Sequence, residues 1–257
     1  MFPVGDFLRR RTTPYVNWAL IAINLAVFVY MLTLNTQPDG TIANLRVSEA
    51  DRFIFDYGFV PACVADYFGI STTVNPRDLI AVCPAGDREP VQLFTSLFVH
   101  GGWAHIVGNM LFLWIFGDNV EDRMGHGRYL AFYLLTGLAA AGTQTFIAVD
   151  TIIPTVGASG AIAGVLGAYL MLYPTAMVQV VVFPLFFLPF FVPAVVLIGF
   201  WFVSQLFSGF AEIASNTTAG SGVAFWAHIG GFIAGAILVW FFKTKARSPV
   251  RSYTAFD

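Results

Sequence analysis

The sequence predicts an all-α membrane protein, a bundle of six transmembrane helices with a long extracytoplasmic first loop, and three observations carry that prediction. Lys and Arg number 13 and Asp and Glu 15 in 257 residues, so 11% of the chain is charged; soluble domains carry roughly 25%. The charges are also absent in blocks: Thr12–Pro38, Pro90–Gly117, Tyr129–Val149, Thr151–Ala211 and Ile213–Phe242 hold none. A helix needs about 20 apolar residues to cross the hydrocarbon core, so four blocks fit one span each and the longest fits two. Finally, Arg9, Arg10 and Arg11 precede the first block, while Lys243, Lys245, Arg247 and Arg251 follow the last. Positive flanks favour the cytoplasm, so both termini face it and the span count is even. A mean hydropathy of +0.73 agrees.

Taken in order, residues 1–14 form a cytoplasmic N-terminus and Tyr15–Leu34 the first span. This stretch is too long for the apolar core of a cleaved signal peptide and no small-residue cleavage site follows it, so it reads as an anchored helix. Residues 35–89 form the first extracytoplasmic loop, with eight acids against four arginines. Its Phe53, Ile54, Phe55, Tyr57, Phe59 and Val60 suit either an interfacial amphipathic element or burial against the bundle. Both cysteines, Cys63 and Cys83, lie in this loop; they form either a disulfide, if the loop faces an oxidising space, or two buried free thiols, the default adopted.

The later spans are Trp103–Asn119, Tyr129–Val149, Val156–Tyr173, Ala176–Phe207 and Gly222–Phe242, with Tyr173-Pro174 dividing the longest block. Pro184, Pro189 and Pro193 fall in the fifth span, where each removes a backbone donor, so a kinked or irregular helix and a candidate moving part are expected there. Residues 243–257 form a cytoplasmic tail, and the whole chain, 1–257, is one membrane domain without repeats.

Polar side chains inside spans must be buried against protein or water. His105, Asn109, Ser159 and His228 stand out, and on this topology all four enter their spans from the extracytoplasmic side. Ser159 and His228 lie in small-residue runs, where Gly160 to Gly164 and Gly231 to Gly235 are spacings that favour tight helix pairing. Pairing of those faces brings a nucleophile and a general base within reach, although a lone serine equally bonds its own helix backbone. His105 and Asn109 are four apart and share a helix face. They can line an oxyanion hole with the Ser159 amide, or simply join helices. No acid lies between Asp150 and Glu212, nor between Glu212 and Asp257, so a Ser/His dyad fits better than a triad. Metal hydrolysis is set aside, because His100 and His105 lack a following acidic ligand and no HExxH occurs.

Three ordered stretches then resemble the rhomboid family of intramembrane serine proteases, in its prokaryotic six-helix form: Phe94-Thr95-Ser96-Leu97-Phe98-Val99-His100-Gly101-Gly102-Trp103-Ala104-His105-Ile106-Val107-Gly108-Asn109, Gly157-Ala158-Ser159-Gly160 and Ala227-His228-Ile229-Gly230-Gly231. The resemblance runs from Tyr15 to Phe242. It implies Ser159 as nucleophile, His228 as base, and an oxyanion hole from His105, Asn109, the Ser159 amide and Gly157. It further implies cleavage of single-span transmembrane proteins near their extracytoplasmic ends, through a gate made by the fifth helix, with its three prolines, and the loop Ser208–Ser221. Glu121 and Arg123 match a structural stretch of the family. Two departures stand out: Val91-Gln92 replaces a Trp-Arg or Trp-Gln pair, and Ala163 replaces a tyrosine that stacks on the base in some members, so another group must orient His228.

The expected function is therefore a serine endopeptidase of the bilayer, in the plasma or inner membrane, with no cofactor, metal or nucleic acid. Its partners are transmembrane substrates and membrane lipid. Thr136, Thr143 and Gln144 either hold the water that hydrolysis needs or make ordinary interhelical bonds. A catalytically inactive binder of transmembrane helices is the alternative, but it has no need of Ser, His and oxyanion donors together. A transporter would call for ionisable groups at mid-membrane and related halves.

Overall fold

The computed structural model of the protein describes residues 2–42, 45–83, 89–182, 186–214 and 223–244. The chain begins with β1 (Phe2–Asp6) and α1 (Tyr15–Met31). The first loop then holds β2 (Gly40–Ile42), β3 (Leu45–Val47), α2 (Glu49–Tyr57), α3 (Pro61–Tyr67), α4 (Pro76–Val82) and α5 (Glu89–Thr95). A 3-10 turn, Ser96–Phe98, leads to α6 (Trp103–Met124) and α7 (His126–Ile147). There follow α8 (Ser159–Leu172), β4 (Met177–Val182), β5 (Phe186–Pro193), α9 (Ala194–Ala214) and α10 (Phe225–Phe242).

The protein is mostly helical. Among the described residues α7, α9 and α10 are long and apolar enough to cross a membrane, and α1 and α8 are shorter apolar helices. The all-α expectation is corrected by two small sheets, an antiparallel β1-β4-β5 sheet and a β2-β3 hairpin. Most consequential is the fifth span: Ala176–Phe207 is no kinked helix but a hairpin followed by α9. Each interior proline costs a helix about 3 kcal/mol, whereas Met177-Val178-Gln179-Val180-Val181-Val182 is rich in β-branched residues that suit a strand. Pro193 closes β5, pairing with Met177 just before α9 starts. Pro189 falls where the register shifts between Val180↔Phe190 and Val182↔Phe186, a place where a missing N–H is tolerated. Pro184 lies outside the described residues, as do 215–221 of the expected gate loop, 222 at the start of the expected sixth span, and 245–257 of the tail. β1 adds to the free edge of β4, so residues 2–6 are paired strand rather than a plain N-terminal extension.

Helix α8 is the axis of the bundle, almost wholly buried from Gly160 to Tyr169. It packs most extensively on α10. Glycine makes that approach possible: a Cβ at Gly231 or Gly235 would fall on the carbonyl oxygen of Gly160 or Gly164. Opposite the N-terminus of α8, Glu121 is fully buried and accepts from the backbone N–H groups of Val16 (3.0 Å) and Asn17 (2.7 Å) at the start of α1, and pairs with His126 Nδ1 (2.5 Å). These are the orphan donors of a helix N-terminus. Arg123 donates to the carbonyl of Thr244 (2.6 Å), tying α6 to the end of α10.

In the first loop, Phe59 and Val60 are buried while Tyr57 is exposed, so its apolar residues divide between packing and surface. The default of free thiols is corrected: Cys63 and Cys83 form a disulfide. Packing of Val60, Ala62 and Val82 joins α3 to α4 and brings the two Cα atoms to 5.4 Å, within bridging reach.

Candidate active site

Helix α8 begins at Ser159, so the serine's backbone N–H is one of the first-turn donors without an intrahelical acceptor. Gly157 sets its approach, with φ of +115°, a conformation glycine adopts freely. The Gly157 N–H donates to the Ser96 carbonyl (2.8 Å), which anchors this turn to the stretch before α6. No side chain fits at Gly157 in any case: a Cβ there would stand 2.5 Å from His105 Nε2 and 3.5 Å from Asn109 Nδ2. The two polar side chains of α6 therefore converge on the backbone just ahead of Ser159.

Asn109 is buried, and its Nδ2 has no hydrogen-bond partner among the described residues. A buried unpaired amide costs about 1 to 3 kcal/mol, so it is a donor awaiting an acceptor. His105 meets the ring of His100 edge-on, centroids 5.0 Å apart. His100 itself lies in the loop before α6; burial, then the neighbouring His105, lower its pKa to about 4 and keep it neutral.

His228 enters from α10. Gly160 and Ala227, the neighbours of Ser159 and His228, pack against each other: a Cβ at Gly160 would stand 3.8 Å from that of Ala227. The start of α10 is held by Gln144, whose Oε1 accepts from the Ala227 N–H (3.2 Å). Thr136 and Thr143 donate to carbonyls of their own helix, Tyr133 (3.0 Å) and Ala139 (2.8 Å), and Thr136 Oγ1 also lies 3.5 Å from the Ala161 carbonyl of α8. Ser159, His228, His105, Asn109 and Gly157 line one cavity of about 800 Å³. The structure thus brings together all five expected site residues, four from α6, α8 and α10 and Gly157 from the turn before α8, and it places Pro189 and Pro193 in β5, before the start of α9.

Two residues escaped the sequence reading. Gln205 of α9 is buried, and its Oε1 lies 2.8 Å from His228 Nδ1. Trp201, one turn earlier, sets its ring 5.9 Å from the imidazole at 37°. Together they supply the packing that Ala163 cannot. The signal was present, since Gln205 is a lone amide in an apolar segment.

Residues 87–245 match the family model described as the Rhomboid domain, well over half of the chain. The chain belongs to the rhomboid family. Among similar proteins, RHOMBOID-like protein 1 of Arabidopsis thaliana is 28% identical over 61% of this chain and 39% of its own length. Rhomboid protein 1, mitochondrial, of Saccharomyces cerevisiae is 30% identical over 59% and 41%. The Rhomboid protease GluP of Bacillus subtilis is 42% identical over 31% and 15%. The chain thus spans less than half the length of these relatives. The rhomboid match and the apolar helices together make this a membrane protein. Gln92, in the Val91-Gln92 pair that departs from the family pattern, is buried and donates to the carbonyls of Phe55 (3.0 Å) and Asp56 (3.2 Å), holding α5 on α2.

Proposed function

We propose that the protein is an intramembrane serine endopeptidase that cleaves single-span transmembrane proteins with a Ser159/His228 dyad. The observation that carries this reading is the convergence of Ser159, His228 and the unsatisfied Asn109 amide on one cavity. His228 takes the Ser159 proton and Oγ attacks the scissile carbonyl. The developing oxyanion accepts from the Ser159 N–H, Asn109 Nδ2 and His105, with Gly157 leaving room for it. His228 then protonates the leaving amine, and water hydrolyses the acyl-enzyme. Membership of a family that includes a named rhomboid protease supports the reaction class.

In this reading α1, α6, α7, α8, α9 and α10 are six transmembrane helices, both termini are cytoplasmic and the cavity opens toward the extracytoplasmic face of a plasma or inner membrane. The flanking basic residues support that orientation. So does the Cys63–Cys83 bond, because disulfides persist in oxidising compartments. Lateral entry passes α9, whose Phe200, Phe207 and Phe210 are exposed and whose buried residues are few. Of the prolines assigned to the gate, Pro189 and Pro193 lie in β5, before the start of α9 and at the opposite end of that helix from Phe207 and Phe210.

The test is cleavage of a labelled transmembrane substrate by the purified protein in liposomes. Ser159→Ala and His228→Ala should each abolish it; persistence in both would sink the dyad and favour an inactive binder of transmembrane helices.

A further inference from the structure

We infer that Gln205 is a positioning residue that holds His228 in the tautomer the reaction needs, so that an amide takes the place a carboxylate fills in a triad; the inference rests on the dyad proposed above. Gln205 stands behind the imidazole and does not line the cavity. Its amide is oriented by its own helix: Nε2 donates to Ser204 Oγ (3.1 Å) and lies 3.5 Å from the Trp201 carbonyl. These partners accept and cannot both be faced by Oε1, so Oε1 points to His228 Nδ1, 2.8 Å away. An acceptor there keeps the proton on Nδ1 and leaves the Nε2 lone pair free for the Ser159 proton. With the amide reversed, NH₂ would face Nδ1, the ring proton would move to Nε2, and His228 could not act as a base.

The choice of an amide follows from the surroundings. No acid lies between Asp150 and Glu212, and a carboxylate in an apolar span is costly to ionise. A glutamine accepts the same hydrogen bond without carrying a charge. It also makes α9 a supplier of the base's orientation, with Trp201 packed between His228 and Phe232.

Gln205→Leu keeps the volume and removes the acceptor, whereas Gln205→Glu keeps an acceptor at the same reach. In liposome cleavage, Gln205→Leu should lower kcat roughly 10- to 100-fold with KM within about twofold, less than the roughly 10⁴-fold loss when a triad histidine is held in the wrong tautomer. Labelling of Ser159 by a fluorophosphonate should slow in parallel, and the thermal midpoint should hold. Gln205→Glu should recover most of the turnover. An unchanged kcat in Gln205→Leu overturns the proposal, as does a loss confined to KM or one that Gln205→Glu does not recover, since those results mean docking or packing. Loss of all cleavage in Ser159→Ala and His228→Ala beside any of these leaves the dyad standing and Gln205 out; cleavage persisting in both removes dyad and inference together.

Discussion

Asn109 is the residue whose role is easiest to separate from packing, because its Nδ2 makes no bond that its removal would break. Asn109→Ala should therefore leave the thermal midpoint near the wild-type value while lowering kcat, by roughly 3 to 4 kcal/mol in activation free energy, the range found when one oxyanion donor is lost. Steady-state cleavage at saturating substrate checks it, and unaltered turnover removes Asn109 from the site. Asp6 offers the opposite case, a group that shapes stability far from Ser159. It accepts from Tyr169 Oη (2.6 Å) and Asn119 Nδ2 (2.9 Å), yet burial first, and the charge of Asp118 after it, push its carboxyl up from 3.8 to about 6. A carboxyl that binds its proton more tightly when folded stabilises most below the unfolded value, and that contribution is lost as pH rises through the folded one. Between pH 3.8 and about 6 the thermal midpoint should thus fall in wild type relative to Asp6→Asn; parallel profiles would show that Asp6 does not titrate in this range.

At the scale of elements, the contact between α8 and α10 is where small changes have the largest effect. Gly235→Leu drives a side chain into the Gly164 carbonyl, and overpacking of this kind costs about 1 to 3 kcal/mol or more. It should lower the thermal midpoint and cleavage together by moving His228 away from Ser159. Gly142→Ala, on an open face of α7, should do the reverse and gain up to about 1 kcal/mol from helix propensity; equal effects from the two would discount the close approach. Helices of this kind were legible because charge-free blocks report burial in lipid directly. The β4-β5 hairpin was not, because Val- and Phe-rich runs are equally apolar as strand or as helix, and hydropathy does not distinguish them. Three prolines in ten residues were the better guide, and they mark where the helix fails rather than where it bends. The site was legible for another reason: Ser159, His228, His105 and Asn109 are polar where lipid forbids it. By the same rule Gln205 was readable, but its partner sits 23 residues away on another helix, and only the packing of α9 on α10 reveals it.

Across the whole molecule, the first loop is fastened to the segment that presents Ser159. Phe59 and Thr155 exchange backbone hydrogen bonds (3.2 and 2.7 Å), and the Ala62 N–H donates to the Thr151 carbonyl (3.1 Å). The Cys63–Cys83 bond closes the α3–α4 unit that carries these contacts, across a sequence separation of 20. Closing a loop of that size restricts the unfolded chain by about 3 kcal/mol in the entropic account. A Cys63→Ser, Cys83→Ser double variant should therefore melt earlier. It should lose cleavage at temperatures where the wild type is still active, because the turn from Thr151 to Gly157 loosens with the loop. The same bond reports on topology. If this face lies outside the cytoplasm, wild-type protein purified without reductant takes no maleimide until a reductant is added, and then takes two. Immediate labelling of both thiols would mean that the loop faces a reducing space. The cavity would then open on the cytoplasmic side, and the orientation read from the basic flanks would have to be reversed.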